Sequence, residues 1–270
     1  YNTTENAADV DDIRRALGYE QLNLYGGSYG SLLAQAVLRD HPEGVRSAMI
    51  GATLPAERSF FVNSPKTTVD AALRLLQACA DDAACNSAYP DLQETLYAVV
   101  ARLNAEPAPV TVTNPLDGKT YDTYLTVDNV FGNLVLFLYF TNIIPVLPQA
   151  ISDVAKGDYD LMTQLSSQKL AVLDASTRGM MFSVLCAEDL IGVTPQDFLD
   201  IRAQMPPALA GDIDPEDVVE YSFFGICANW PVEQADPSVK EPVQSDVPTL
   251  ILEGEFDPVT PLAYAQEVAQ

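Results

Sequence analysis

Histidine is all but missing from this sequence: its 270 residues hold one, His41. Basic side chains are scarce as well, 14 against 38 acidic ones, which leaves a formal charge of −24. Such a charge repels phosphate backbones and anionic membranes, so nucleic acid is excluded as a partner class. The surplus acid reads as a solvated surface and says little about substrate. Long apolar runs are absent too. The longest, Leu134 to Phe140, falls far short of the ~20 residues that cross a bilayer, so no membrane span is expected. There is no initiator Met and no basic segment followed by an apolar one, so a signal peptide is expected to be gone already or to lie outside this piece.

Cysteine is sparse but grouped, Cys79 near Cys85 and then Cys186 and Cys227. With one histidine and no paired CxxC knuckles, a zinc site is a poor reading, and neither metal nor cofactor is expected. Disulfides in an oxidising compartment are the better one, and four cysteines allow three pairings.

What is present is core-forming: 48% of the residues are hydrophobic, enough for a sizeable buried interior. Val10, Ile13, Ala16 and Leu17 share a helical face ahead of Gly18, predicting a helix over 5–17. Leu22 to Tyr25 reads as a short strand, and Leu32, Leu33, Ala36 and Val37 resume helical spacing to about Asp40. Val45–Ile50 and Pro248–Leu252 read as further buried strands of a parallel sheet.

Between those two strands helical patterns dominate. Val69, Leu73, Leu76 and Ala80 form one face, and Leu92, Leu96, Val99 and Leu103 another, opened by Asp91 with Glu94 as in a capping box. A hairpin is predicted around Asn114–Gly118, and a helix start at Thr194-Pro195 with Asp197. The organisation expected is therefore a core over 1–55, a helical cap over 56–245, and a return to the core over 246–270.

The strongest chemical signal is Gly26-Gly27-Ser28-Tyr29-Gly30, a GxSxG pattern lying between strand and helix. A sharp turn there lifts the serine Oγ out of the sheet, and flanking glycines are expected because larger side chains would collide with strand and helix. Ser28 is the candidate nucleophile. The Tyr29 N–H, at the helix N-terminus, is the candidate oxyanion donor, and losing such a donor costs about 3 kcal/mol of barrier stabilisation.

A serine nucleophile needs a base, and the base needs an acid to orient it. Asp257, in the turn after the third strand, is the acid candidate; alone it would read as an ordinary turn aspartate before Pro258. The histidine is expected after Asp257, yet the sequence ends at Gln270 and holds only His41. At about 1.5 Å rise per residue, His41 lies about 20 Å from Ser28 at the far end of the same helix, so it is not the base. The 270 residues are expected to show little activity alone.

The sequence resembles the tripeptidyl aminopeptidase and proline iminopeptidase branch of the α/β-hydrolases, chiefly its secreted bacterial form. The resemblance rests on Tyr1-Asn2-Thr3-Thr4-Glu5, Asn23-Leu24-Tyr25-Gly26-Gly27-Ser28-Tyr29-Gly30, Cys186-Ala187-Glu188-Asp189, Cys227-Ala228-Asn229-Trp230-Pro231 and Glu253-Gly254-Glu255-Phe256-Asp257-Pro258-Val259-Thr260-Pro261. It implies part of an α/β-hydrolase parallel sheet with a large, mainly helical cap, and release of residues or short peptides from free N-termini through an acyl-enzyme on Ser28. It also implies a second oxyanion loop and the histidine in segments this sequence does not hold.

Glu188 matches the family position that anchors the substrate's ammonium; an exposed acidic pair with Asp189 is the plain alternative. A peptide partner and a secreted or cell-envelope location follow from the resemblance. Cys79–Cys85 and Cys186–Cys227 are the disulfides expected. An esterase or lipase, or a module that has lost its histidine, are the rival readings.

Overall fold

A computed structural model describes residues 2–174, 178–211 and 214–270, with Leu173, Asp174 and Tyr221 described by backbone alone. Tyr1, the first residue of the family resemblance, lies outside the described residues. In chain order the elements are α1 (Thr3–Ala16), β1 (Leu22–Gly27), α2 (Tyr29–Asp40), β2 (Val45–Gly51), α3 (Phe60–Asp81), α4 (Ala83–Ala88) and α5 (Leu92–Ala105). There follow β3 (Ala108–Thr113), β4 (Thr120–Leu125), α6 (Val127–Leu138), α7 (Leu147–Lys156), α8 (Asp160–Asp174) and α9 (Gly179–Glu188). The chain closes with α10 (Pro195–Arg202), α11 (Pro207–Ala210), α12 (Pro215–Tyr221), α13 (Phe223–Asn229), β5 (Thr249–Leu252) and α14 (Leu262–Val268).

The three predicted strands form one parallel sheet in the order β1-β2-β5. Because β2 and β5 pair directly, everything between Gly51 and Thr249 is inserted at a single crossover. Ala36, Val37 and Leu38 of α2 and Ala7 of α1 pack on Val45 and Ala48, which buries one sheet face. The opposite face carries the register row Tyr25–Met49–Leu250, and there Tyr25, Leu250 and Leu252 are exposed. The expectation of buried strands therefore fails on this side. Nothing among the described residues packs over it.

The chain divides into two compact units, one of residues 1–67, 177–202 and 212–270, the other of 68–176 and 203–211. The segment 56–245 contributes to both. The second unit follows its helical periodicity closely: Leu92, Leu96, Val99 and Leu103 are all buried. Its hairpin pairs Thr113 with Thr120 in antiparallel register.

Two local expectations are corrected. In α1 the inward face is Thr3, Ala7 and Asp11, whereas Ile13 and Leu17 are exposed. The physical reason is Asp11, which pairs with Arg14 (2.8 Å) and Arg15 (2.6 Å) and so turns a charged stripe inward. Asp91 precedes α5 in a left-handed conformation and makes no side-chain cap. Thr194 does cap as expected, exchanging bonds with Asp197 at the start of α10.

Candidate functional site

At the end of β1 the backbone enters α2 through Ser28 at φ 55°, ψ −125°. A non-glycine residue in that region is strained by roughly 1–3 kcal/mol and must be held there by its surroundings. The Ser28 N–H donates to the Gly51 carbonyl (3.1 Å), and the Ser31 N–H donates to the Ser28 carbonyl (2.8 Å). Gly26 is what makes the turn possible, since a Cβ there would stand 2.1 Å from the Gly30 carbonyl oxygen. Gly30 differs. A Cβ at that position meets nothing within 4 Å, so only one of the two flanking glycines is sterically required. The Ser28 side chain is exposed.

Tyr29 is the first residue of α2, so its N–H has no carbonyl partner inside the helix. Its side chain is tied elsewhere. The Tyr29 hydroxyl lies 2.9 Å from Thr3 Oγ1, which donates to Glu188 Oε2, while the Thr3 N–H donates to Glu188 Oε1. Burial raises the Tyr29 pKa, partly offset by the Thr3 hydrogen bond and reinforced by the nearby Glu188 charge.

Glu188 and Asp189 are not an exposed acidic pair: both are buried, and each closes a helix N-terminus. Glu188 takes the first N–H of α1, and Asp189 accepts from Phe60 N–H (2.7 Å), Phe61 N–H (2.9 Å) and Ser59 Oγ (2.9 Å) at the start of α3. Helix N-termini compensate buried carboxylates through unpaired N–H groups and the helix dipole. Lys240 Nζ stands 3.9 Å from Asp189 and donates to the Arg58 carbonyl (2.8 Å). Burial pushes the Lys240 ammonium below its ordinary pKa against the pull of both carboxylates.

Asp257 sits in the turn after β5, where Oδ1 accepts from the Val259 and Thr260 N–H groups, each at 2.8 Å. All three strands are parallel, so Ser28 and Asp257 leave the same carboxyl edge of the sheet. The two strands are not adjoining. β2 lies between them, which at a spacing of ~4.8 Å per strand separates their axes by about 10 Å. Glu253, at the β5 end, accepts from the Thr53 N–H (2.8 Å). Burial raises its pKa, with the Thr53 and Gly254 bonds opposing and the Asp257 charge adding.

One cavity of about 340 Å³ joins these parts: Ser28, Tyr29, Thr3, Glu188, Val259 and Thr260 all line it. Sequence reasoning missed Thr3 and Thr260 as lining residues. Both lay inside blocks that carry the family resemblance, but neither block marked them as cavity residues.

His41 closes the other end of α2, with Nδ1 3.9 Å from Asp11 Oδ2. Asp11, His41 and Glu43 bring ligand-type atoms within 4.8 Å of one another. Arg14 and Arg15 already neutralise Asp11, so the chemistry of that cluster is an ion-pair network rather than a cation cage.

The cysteines pair as Cys79–Cys85 and Cys186–Cys227, each with Cα atoms 5.1 Å apart. The second bond ties α9, just ahead of Glu188, to α13.

Comparison with known proteins agrees with this architecture. The family described as alpha/beta hydrolase fold matches residues 1–84, and the one described as TAP-like protein matches residues 216–270. The serine protease Hip1 of Mycobacterium bovis and that of Mycobacterium tuberculosis are 23% identical to the chain over 277 aligned positions, covering 99% of it and 52% of each relative. The chain thus spans about half the length of the curated relatives it matches. No helix among the described residues is long and apolar enough to cross a membrane. The strand–turn–helix at Ser28, the parallel sheet and the two family matches together give this chain an α/β-hydrolase fold, with a segment similar to TAP-like protein and a distant similarity to Hip1.

Proposed function

We propose that the chain supplies the nucleophile, Ser28, the acid, Asp257, and one oxyanion donor, the Tyr29 N–H, of a serine hydrolase that releases residues or short peptides from free N-termini. One observation carries the reading: an exposed serine held at φ 55° between a strand and a helix opens onto a cavity that the Asp257 turn also lines. In this reaction Ser28 Oγ bonds to the acyl carbonyl carbon as a base removes its proton. The carbonyl oxygen gains charge opposite the Tyr29 N–H, and collapse expels the amine, which takes the proton back. Water then repeats the sequence on the acyl-enzyme.

His41 is the wrong base, being at the far end of α2, so the reaction requires one from elsewhere in the full-length protein. Each Glu188 oxygen already accepts one bond from Thr3 and keeps a second lone pair, which a substrate ammonium would use. The segment 56–245 acts as the cap. The serine protease name of the relatives favours a peptide substrate, and the two disulfides favour an extracytoplasmic location.

The mostly apolar cavity wall also suits an esterase, and one experiment separates the two. Full-length protein should cut free-amine peptide nitroanilides, lose at least tenfold in kcat/KM when the amine is acetylated, and lose about tenfold to a hundredfold on free-amine peptides with Glu188→Gln. Equal turnover of acetylated peptides would hand the site to the esterase reading.

A further inference from the structure

The main-chain ladder between β2 and β5 ends at the pair Gly51 and Leu252. Beyond it Ala52 takes φ 48°, a region that a non-glycine residue occupies only when its neighbours hold it there. The N–H that follows, on the fully buried Thr53, donates to a side chain instead, Glu253 Oε2 at 2.8 Å. Glu253 Oε1 accepts from the Gly254 N–H (3.1 Å), and the Gly254 carbonyl accepts from the Asp257 N–H (3.2 Å). One side chain therefore links the turn after β2 to the turn that carries Asp257.

The turn after β2 is held from its other side by the Ser28 elbow. The Gly51 carbonyl accepts from the Ser28 N–H (3.1 Å), the Leu54 N–H donates to Ser31 Oγ (3.0 Å), and Gln35 Nε2 donates to the Leu54 carbonyl (2.8 Å). Residues 51–54 thus stand between the two strand ends, fixed by α2 on one side and by Glu253 on the other. The carboxylate is not there for want of an alternative. Burial raises its pKa, the Thr53 and Gly254 bonds oppose that, and the Asp257 charge adds to it. A half-buried site of this kind favours an apolar side chain unless acceptors are needed, and Glu253 supplies one for each of two N–H groups.

We propose that Glu253 is a positioning residue for hydrolysis: by tying the Ala52–Thr53 turn to the end of β5, it fixes the spacing between Ser28 and Asp257. The proposal rests on the serine-hydrolase reading of those two residues. Glu253 is not among the residues that line the cavity, so it acts on the reacting groups and leaves substrate affinity alone. Reacting groups misplaced by about 1 Å lose up to about a hundredfold in rate, which sets the scale for a lost tether.

The test uses the full-length protein and a free-amine peptide nitroanilide, with kcat counted per Ser28 that a fluorophosphonate labels at completion. Glu253→Met keeps the side-chain length but offers only a weak acceptor. It should lower kcat at least about tenfold and leave KM within about twofold. Glu253→Gln keeps a carbonyl for the Thr53 N–H and should bring kcat back to within about threefold of wild type. Should Glu253→Met fail to fold, Glu253→Asp, a methylene shorter, is held to the same limits. A smaller loss of kcat, a KM that rises as far as kcat falls, or a Gln variant no better than Met overturns the proposal, and a Ser28 adduct in the wild-type protein then shows that the nucleophile still stands. No adduct on Ser28 removes the serine-hydrolase reading, and the positioning role with it.

Discussion

The two compact units bury different things. Of the largest side chains hidden almost completely, Ile50 alone belongs to the unit that holds Ser28; Leu96, Leu103, Leu134, Leu147, Ile151 and Met162 belong to the other. Buried polar and charged residues show the reverse. Apart from Asn114 and Asn133, all of those described sit in the Ser28 unit, among them Asp11, Gln35, Glu188, Asp189 and Thr260. One is a packing unit that hides the largest side chains, while the Ser28 unit sets most of the buried polar groups beside apolar clusters of smaller residues, and the difference teaches which interior rests on packing alone. Of the three described non-glycine residues with positive φ, Ser28 and Ala52, at 55° and 48°, follow the neighbouring strands β1 and β2 of the Ser28 unit, while Asp91 opens a helix of the other.

The first way to break this comparison is steric. Gly26→Ala drives a Cβ into backbone at 2.1 Å. It should cost at least about 3 kcal/mol or prevent folding, while Gly30→Ala, facing open space, should cost under about 1 kcal/mol by chemical denaturation. Equal losses would show that the turn is not set by Gly26.

Leu96→Ala probes the packing unit, where a fully buried leucine is replaced by a cavity. A loss of about 2–5 kcal/mol is expected, with labelling of Ser28 per folded molecule unchanged. A fall in that labelling would mean that the units do not divide the work.

The disulfides come next. Loop-closure entropy assigns about 4 kcal/mol to Cys186–Cys227, with its separation of 41, and about 2 kcal/mol to Cys79–Cys85, with 6. Cys186→Ala with Cys227→Ala should therefore lower the melting temperature more than Cys79→Ala with Cys85→Ala does. It should also disturb Glu188, which lies one half-turn further along α9. The opposite order would place the constraint in the packing unit.

The smallest effect is electrostatic. The hydrogen bond from Arg14, with the charges of Arg14, Arg15 and His41 adding and burial opposing, holds the Asp11 pKa below its ordinary 3.8. Just below that value the folded protein carries fewer protons on Asp11 than the unfolded chain. The stability it contributes is therefore present above 3.8 and lost as pH falls through the lowered folded pKa. Asp11→Asn should flatten the acid limb of a stability–pH curve; an unchanged slope would assign that limb to other carboxylates.

This division also explains what was legible in the sequence. Leu92, Leu96, Val99 and Leu103 gave both the helix and its buried face, because apolar packing alone decides that face. In α1 the same arithmetic located the helix but chose Ile13 and Leu17 over Asp11, since periodicity does not register that two arginines let an aspartate turn inward. The positions of Ser28 and Asp257 in the fold were legible because a turn between strand and helix and a strand end leave local signatures. The capping duties of Glu188 and Asp189 were not, because their partners Thr3, Phe60 and Phe61 lie more than a hundred residues away in sequence. Thr260 needed the cavity itself.

The most direct test of the central claim is mass spectrometry of the full-length protein after reaction with a fluorophosphonate. A single adduct on Ser28, absent from Ser28→Ala together with all peptide and ester hydrolysis, is the result expected. An adduct on another serine, or hydrolysis that survives Ser28→Ala, would contradict it.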